Sequence, residues 1–310
     1  MKNTKSSLLV ILVYVDDNIL AGDSTTDIEE LKQYLKSQFF LKDLGDLKYF
    51  LGLEIAKSSA GTCISPRKYT SELLADTGLT TARPDPTPMK QNLKLDNEDG
   101  DLLEDIADFQ RLGGRLIYLT VTRPNISFAV QTLSQFMHAP RKPHLEAAFR
   151  VVKYLKGRPG QRVFMSAASE LKLEAYCDSD WASCPVTRRS SAEAEYRSLA
   201  DLTCEIIWLQ RLNQELGVKV AAPASIHCDN KAAIHVTHNL IFYERTKHME
   251  LDCHIVRVKI QKGVIRTEFV PSKEKVADLL TKALSRQQHQ HLVSRMGVLN
   301  LFKPHLEGMR

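Results

Sequence analysis

The sequence lacks two features that would place the chain in specialised classes of protein. No apolar run reaches the roughly 18 residues that a membrane-spanning helix needs, so no membrane partner is expected. The six cysteines include no C-x-x-C pair and no metal-finger spacing, which predicts buried, reduced side chains. The sequence therefore predicts a soluble, intracellular protein that is not secreted, without distinguishing cytoplasm from nucleus.

What is present is an ordinary globular composition, with basic residues concentrated in one segment. The 310 residues are 43% apolar and 25% charged, enough for two domains with separate cores. Between Arg111 and Arg162, ten Lys and Arg accompany one acid, Glu146. This pattern favours either a surface for a polyanion or a solvated pair of helices. The candidate nucleic-acid-binding residues are Arg111, Arg115, Arg123, Arg141, Lys142, Arg150, Lys153, Lys156 and Arg158.

The first motif is LLVILVYVDDNILAGD, in which an apolar run ends in two acids, Asp16 and Asp17. Its Val and Ile content predicts a hairpin, with strands at 8–14 and 18–21 joined by a turn. A secretory signal is the alternative, but the two acids and the absence of a cleavage site disfavour it.

The middle of the chain changes from strand to helix. YFLGLEI at 49–55 predicts one strand, in which Gly52 marks a close approach by another backbone. A short helix near 71–76 and a proline-rich acidic linker follow. Helices are then predicted at 106–120, 126–137 and 144–156, and KGRPGQR at 156–162 closes this region.

The second half alternates strands and helices, which is typical of a layered α/β domain. Acids occur at a strand end (Asp178), in a first helical turn (Glu195), at a second strand end (Asp229) and in a late helix (Asp278). Singly, each is explained by a turn, a cap or the helix dipole. Converging on one sheet edge, they would need counter-ions, and two Mg²⁺ ions supply them.

The motifs together resemble those of copia-type LTR retrotransposon Pol polyproteins. YVDD and FLGLEI are similar to the catalytic hairpin and the primer-contacting strand of a reverse transcriptase. The other matching segments are LIYLTVTRPNISFAVQTLSQFMHAP, LKLEAYCDSDWASC, SSAEAEYRSLADLTCEIIWL, IHCDN, ERTKHMELDCH and VADLLTKAL.

The resemblance implies a reverse transcriptase palm and a ribonuclease H that degrades the RNA of an RNA/DNA hybrid. It assigns Asp16 and Asp17 to the polymerase metal site, and Asp178, Glu195, Asp229 and Asp278 to the nuclease. Each intact site would take two Mg²⁺ ions, with Mn²⁺ as a substitute. The implied partners are an RNA/DNA hybrid or duplex and the remainder of a Pol polyprotein.

The implied fold is α/β and α+β: part of a reverse transcriptase palm at 1–60, a helical and basic thumb or connection at 61–162, and a ribonuclease H-like α/β domain at 163–310. The family's segment before YVDD is missing here, so we expect no polymerase activity.

Asp178 and Glu195 lie only 17 positions apart, where the ribonuclease H fold places two more strands. Two strands with their turns need roughly 15–20 residues of their own. We therefore expect the loss of two strands and weak or absent nuclease activity, which leaves the chain's status as an enzyme undecided. The alternative is a non-catalytic nucleic-acid-binding relic of a decayed element.

Overall fold

The computed structural model describes residues 2–4, 7–178, 191–238 and 250–300. Within these ranges the chain mixes α-helices with three separate β-sheets, in agreement with the predicted mixed class. The finer assignments to palm, thumb and ribonuclease H stay predictions. No helix in these ranges is both long and apolar enough to cross a membrane.

The regular elements are as follows, in chain order. The strands are β1 (Lys2–Thr4), β2 (Ser7–Tyr14), β3 (Asp17–Gly22), β4 (Tyr49–Phe50), β5 (Leu53–Ser58), β6 (Gly61–Ser65), β7 (Gln161–Ser166), β8 (Lys172–Tyr176), β9 (Ala221–Cys228), β10 (Ile265–Phe269) and β11 (Val298–Asn300). The helices are α1 (Thr25–Gln38), α2 (Arg67–Asp76), α3 (Ile106–Thr120), α4 (Ser127–Ser134), α5 (Lys142–Lys156), α6 (Ser191–Glu215), α7 (Lys231–His238), α8 (Glu250–Gln261), α9 (Asp278–Thr281) and α10 (Arg286–Arg295).

The N-terminal sheet has the antiparallel order β1-β2-β3. Tyr14 lies opposite Asp17, which confirms the predicted hairpin. Helix α1 begins after Ser24, whose hydroxyl accepts a hydrogen bond from the backbone N–H of Asp27. Such a cap satisfies one of the donors that the first turn of a helix leaves open. No residue of α1 is fully buried, so this unit is held mainly by its strand pairing.

A five-stranded antiparallel sheet has the order β11-β7-β6-β5-β4. The single strand predicted at 49–55 is wrong, because the chain reverses at Leu51 and Gly52, with φ of +50° and +78°. Two consecutive residues with positive φ make a tight hairpin turn, a conformation that glycine adopts without steric cost. Gly52 is therefore a turn residue.

The helical core lies between α2, α3, α4 and α5. In α3, Phe109, Leu112, Leu116 and Leu119 recur at helical spacing, and all four are buried. The predicted helix at 106–120 is confirmed with both limits correct. The helices predicted at 126–137 and 144–156 also form, as α4 and α5, although α4 ends earlier and α5 begins earlier.

A parallel sheet of order β10-β9-β8 carries the second half of the described chain. Helices α6 and α8 cover it, and Leu199, Ile226 and Val256 are fully buried between the layers. The predicted alternation of strand and helix is confirmed for the described elements. The two strands expected to be lost would fall at 179–190, which lies outside the described residues.

The last described elements return to the five-stranded sheet. Ser285 caps α10 by accepting from the backbone N–H of Gln288, and β11 then pairs with β7. These two elements were not predicted. The proposed boundary at 162 falls inside β7, whose partners come from both halves of the chain, while the domain limits themselves stay predictions.

Candidate functional site

Two predicted acidic residues follow neighbouring parallel strands. Strand β8 pairs with β9, with Tyr176 opposite His227. Asp178 lies two residues after β8, and Asp229 comes directly after β9. Because the carboxyl ends of parallel strands meet at one edge of a sheet, both carboxylates lie at the same edge. Asp278 opens α9 and is 4% exposed.

A lysine that the sequence analysis did not single out joins two of these carboxylates. Lys275 Nζ donates to Asp178 Oδ1 and to Asp229 Oδ1, each at 2.6 Å. The Lys275 side chain is 2% exposed and that of Asp178 is 6% exposed. A buried charge is tolerated only when it is paired and hydrogen-bonded, and Lys275 meets both conditions.

A second lysine brings Asp278 into the same group. Lys282 Nζ lies 2.9 Å from Asp278 Oδ1 and 3.4 Å from Asp178 Oδ2. The Thr281 hydroxyl also donates to Asp178 Oδ2. We call Asp178, Asp229, Asp278, Lys275 and Lys282 the carboxylate cluster. The structure thus brings together three of the four predicted nuclease acids and adds two cations.

The protonation of the cluster follows from burial and pairing. Burial raises the pKa of Asp178, but hydrogen bonds from Lys275 and Thr281 outweigh it and leave this pKa below its ordinary value. Burial lowers the pKa of Lys275, yet its two carboxylate partners raise it well above the ordinary lysine value. For Asp278, burial dominates over its lysine partner and raises the pKa. At neutral pH, Asp178 and Lys275 are therefore a charged pair.

The side chains described here do not fit a divalent cation between Asp178 and Asp229. Mg²⁺ holds its oxygen ligands at about 2.0–2.1 Å, and the ammonium of Lys275 stands at the point that such an ion would need. No group of three or more His, Cys, Asp or Glu in the described chain could hold a metal ion. The Mg²⁺ and Mn²⁺ sites stay predictions without support from this geometry.

Glu195, the fourth predicted nuclease acid, lies in the first turns of α6. Its side chain lies outside what the structure describes. Ser198, one turn later, has its Oγ 2.7 Å from the Sγ of Cys177, the residue before Asp178. The start of α6 therefore packs beside the strand end that carries the cluster.

The predicted polymerase acids lie elsewhere, at the β2–β3 turn. Asp16 is in the turn and Asp17 begins β3, and both are exposed. Val15 beside them has φ of +50° and is 81% exposed. The hairpin presents both carboxylates to solvent, and within the described ranges no third acid joins them in a metal-binding group.

Most of the predicted basic residues already have partners. The pairs with acidic side chains are Arg111 with Asp108, Arg115 with Asp76, Lys142 with Asp101, and Arg150 with Asp85. Arg141 and Lys156 donate to backbone carbonyls, namely those of Asn97, Gly100 and Ala82. The basic excess of the segment is therefore partly neutralised by acids outside it, of which Asp76, Asp85 and Asp101 are distant in sequence.

Arg123 differs from the other predicted basic residues because it is completely buried. It donates to Gln161 Oε1 at 2.7 Å and to the carbonyl of Arg158 at 3.2 Å. Burial lowers its pKa to about 10. The prediction that Arg123 contacts nucleic acid is therefore wrong, because its guanidinium is buried in the core and does not reach solvent.

Two of the predicted basic residues that are not yet accounted for line a cleft with a volume of about 720 Å³. Lys153 and Arg158 from the helical region line it together with Arg83 and Arg286. The one acid among its lining residues, Asp85, is paired with Arg150 at 2.8 Å. We call this the basic cleft. Its four cations come from three distant parts of the chain, and they suit an anionic ligand.

Sequence reasoning missed four charged residues of these sites: Lys275, Lys282, Arg83 and Arg286. For Lys282 a signal was available, because it lies four residues after Asp278 and such a pair meets on one helical face. The other three come to these sites only through the tertiary fold.

Comparison with known proteins tests the family resemblance that the sequence motifs carry. Residues 1–91 match the family described as reverse transcriptase (RNA-dependent DNA polymerase). A Pol polyprotein from transposon RE1 of Arabidopsis thaliana is 38% identical over 94% of this chain, and one from transposon TNT 1-94 of Nicotiana tabacum is 28% identical over 93%. The chain belongs to the family of copia-type retrotransposon Pol polyproteins.

The matches differ in how much of each relative they include. The chain spans 22% of the RE1 polyprotein and 24% of the TNT 1-94 polyprotein. It spans 94% of an uncharacterised mitochondrial protein of Arabidopsis thaliana, which is 36% identical over 64% of this chain. No solved structure matches the chain significantly.

Proposed function

We propose that this chain is a nucleic-acid-binding segment of a Pol polyprotein, and that it holds an RNA/DNA hybrid or duplex at the basic cleft. The observation that carries the proposal is the meeting of Arg83, Lys153, Arg158 and Arg286 around one opening. Nucleic-acid affinity comes largely from cations that contact phosphates. The remainder of a Pol polyprotein is the proposed protein partner.

The proposed setting is intracellular. Cys63 is buried and forms no disulfide, which suits a reducing compartment.

Salt dependence provides the first test of the cleft. If all four cations contact phosphates, log K falls with log salt at a slope of about −3.6, which is roughly a 100-fold loss of affinity between 50 and 200 mM salt. Replacing Lys153 and Arg286 by Gln should reduce the slope to about −1.8, and the loss to roughly 10-fold. Fluorescence anisotropy with a labelled hybrid measures both quantities.

The matched control removes two cations that already have acidic partners, Arg111→Gln with Lys142→Gln. This variant should keep a slope closer to that of the wild type. An equal change in both double variants would contradict the assignment to the cleft and favour a diffuse basic surface. Binding that does not respond to salt would contradict the proposal altogether.

A metal-dependent ribonuclease H is the second candidate function. The convergence of Asp178, Asp229 and Asp278 at the edge of a parallel sheet favours it. The position of Lys275 between two of these acids favours weak or absent activity. Cleavage of a labelled hybrid in Mg²⁺ or Mn²⁺, abolished by Asp178→Asn, would establish the nuclease; binding without cleavage would favour the first candidate.

Polymerase activity is proposed to be absent. Asp16 and Asp17 lie exposed on a hairpin, and in the described part of the chain they have no third carboxylate with which to hold a metal ion. A primer-extension assay with deoxynucleotide triphosphates should show no templated incorporation. Incorporation that Asp16→Asn abolishes would refute this part of the proposal.

A further inference from the structure

The carboxylate cluster contains its own cations at the edge where the sequence predicts metal ions. Three carboxylates carry three negative charges, and Lys275 and Lys282 carry two positive charges within hydrogen-bond or ion-pair distance of them. Among the described side chains of this group, most of the negative charge is therefore compensated by the protein itself. A divalent ion would have to displace a cation that is already in place.

Local structure holds Lys275 in position. The short turn Ser272–Glu274 comes immediately before it, and the Ser272 hydroxyl donates to Asp229 Oδ2 at 3.0 Å. After it, the backbone N–H of Asp278 donates to the Lys275 carbonyl at 3.2 Å. Asp229, one of the two aspartates that Lys275 bridges, is thus also tied to the segment around it. Moving the ammonium out would disturb this segment and remove a charge-assisted hydrogen bond from each of the two carboxylates.

Lys275 and Lys282 differ in solvent exposure, and this difference indicates which of them stays in the cluster. Lys275 is 2% exposed, whereas Lys282 is 43% exposed and can move into solvent. Of these two lysines, Lys275 is the one that lies between the two strand-end carboxylates. A solvated lysine side chain can leave at little cost, but a buried, doubly paired one is retained.

We propose that Lys275 is the resident cation of the cluster, that it excludes a divalent metal ion from the space between Asp178 and Asp229, and that its removal creates a metal site there. The inference goes beyond nucleic-acid binding, because it concerns the metal requirement of the fold itself. Asp178 and Asp229 would supply carboxylate oxygens, the ligands that Mg²⁺ and Mn²⁺ prefer.

The test compares the full chain with Lys275→Met, using thermal unfolding in EDTA and in Mn²⁺. We expect the wild type to unfold at the same temperature in both. Lys275→Met should unfold roughly 10 °C lower in EDTA, because Asp178 and Asp229 each lose a charge-assisted hydrogen bond, and Mn²⁺ should recover much of this shift. Lys273→Met is the matched control, since Lys273 is exposed two positions away, and it should behave as the wild type.

A second measurement keeps the proposal falsifiable if Lys275→Met does not fold. Electron paramagnetic resonance of Mn²⁺ counts bound ions on the wild-type chain directly. Saturable binding to the wild type that Asp229→Asn abolishes would overturn the proposal, and its absence would support it. In the Lys275→Met background, Asp229→Asn should abolish the response to Mn²⁺; a response that persists would also overturn the proposal, because the ion would then lie elsewhere.

Discussion

His289 provides a quantitative test of how α10 is joined to the helical core. It is 3% exposed, its ring packs edge-on against Tyr154 with centroids 5.3 Å apart, and its Nε2 lies 3.4 Å from the carbonyl oxygen of Asn125. Burial lowers its pKa from 6.5 to about 4, and the nearby charges of Arg158 and Arg123 act in the same direction. The folded protein therefore keeps this imidazole neutral in mildly acidic solution.

The sign of the pH effect follows from this difference. Below pH 6.5 the unfolded chain takes up a proton on His289 and the folded chain does not, so the unfolded state gains stability. The contribution of His289 is fully present above 6.5 and is lost as the pH falls towards 4. With 1.36 kcal/mol for each unit, the loss is about 2 kcal/mol at pH 5 and about 3.4 kcal/mol once both states are protonated.

Urea unfolding at pH values of about 7.5 and 5 measures this contribution. We compare the drop in unfolding free energy between the two pH values in the wild type with the drop in His289→Gln. The contributions of the other titrating groups are common to both proteins and cancel in this difference. The drop should be smaller in the variant by about 2 kcal/mol. His291→Gln on the same helix is the control, because His291 is exposed, and it should leave the drop unchanged. Equal drops in the wild type and His289→Gln would refute the reasoning.

Three further outcomes are expected. Arg123→Leu should cost about 3 kcal/mol in urea unfolding, because it removes the buried hydrogen bonds that Arg123 donates to the Gln161 amide oxygen and to the Arg158 carbonyl; a change below 1 kcal/mol would contradict a structural role. Gly61→Ala should lower the unfolding temperature, since φ is +147° and its new Cβ would clash with the Met165 carbonyl oxygen; an unchanged temperature would disprove this. Asp16→Asn should alter stability by less than about 0.5 kcal/mol, because the residue is exposed, and a larger loss would show a hidden partner.

The local elements were largely predictable because their signals are local. In α3, apolar residues at helical spacing follow Asp105, whose side chain caps the first turn by accepting from the N–H groups of Ala107 and Asp108. Both signals lie within fifteen residues, so the helix limits could be derived without the fold. The β2–β3 hairpin was predictable for the same reason, since its strands are adjacent and joined by a short turn.

Prediction failed where two structures share one local pattern. YFLGLEI is rich in strand-forming residues, and a continuous strand and a tight hairpin both satisfy that composition. Only the positive φ angles at Leu51 and Gly52 distinguish them. Strand β11 was missed for a related reason. It has only three residues, and its strand character depends on pairing with β7.

The basic residues illustrate the same limit on the functional side. Composition identified the cationic segment correctly, but it treated every Lys and Arg in it as equally available. Arg123 proved to be buried, whereas Arg83 and Arg286, from outside the segment, line the basic cleft. Charge along the chain is a property of composition, whereas charge on a surface depends on which side chains the fold exposes.

The sequence by itself determined the family, the mixed α/β class and the placement of Asp178 and Asp229 at the ends of strands. Only the tertiary structure decided what those acids contact. Lys275 reaches Asp178 across 97 residues of sequence and Asp229 across 46. Hydrophobic periodicity and turn chemistry act over one or two turns of chain, but an ion pair at the edge of a sheet depends on strand order and on how the connecting segments pack. For that reason a pattern that predicts metal ligands is also compatible with carboxylates that a buried lysine holds.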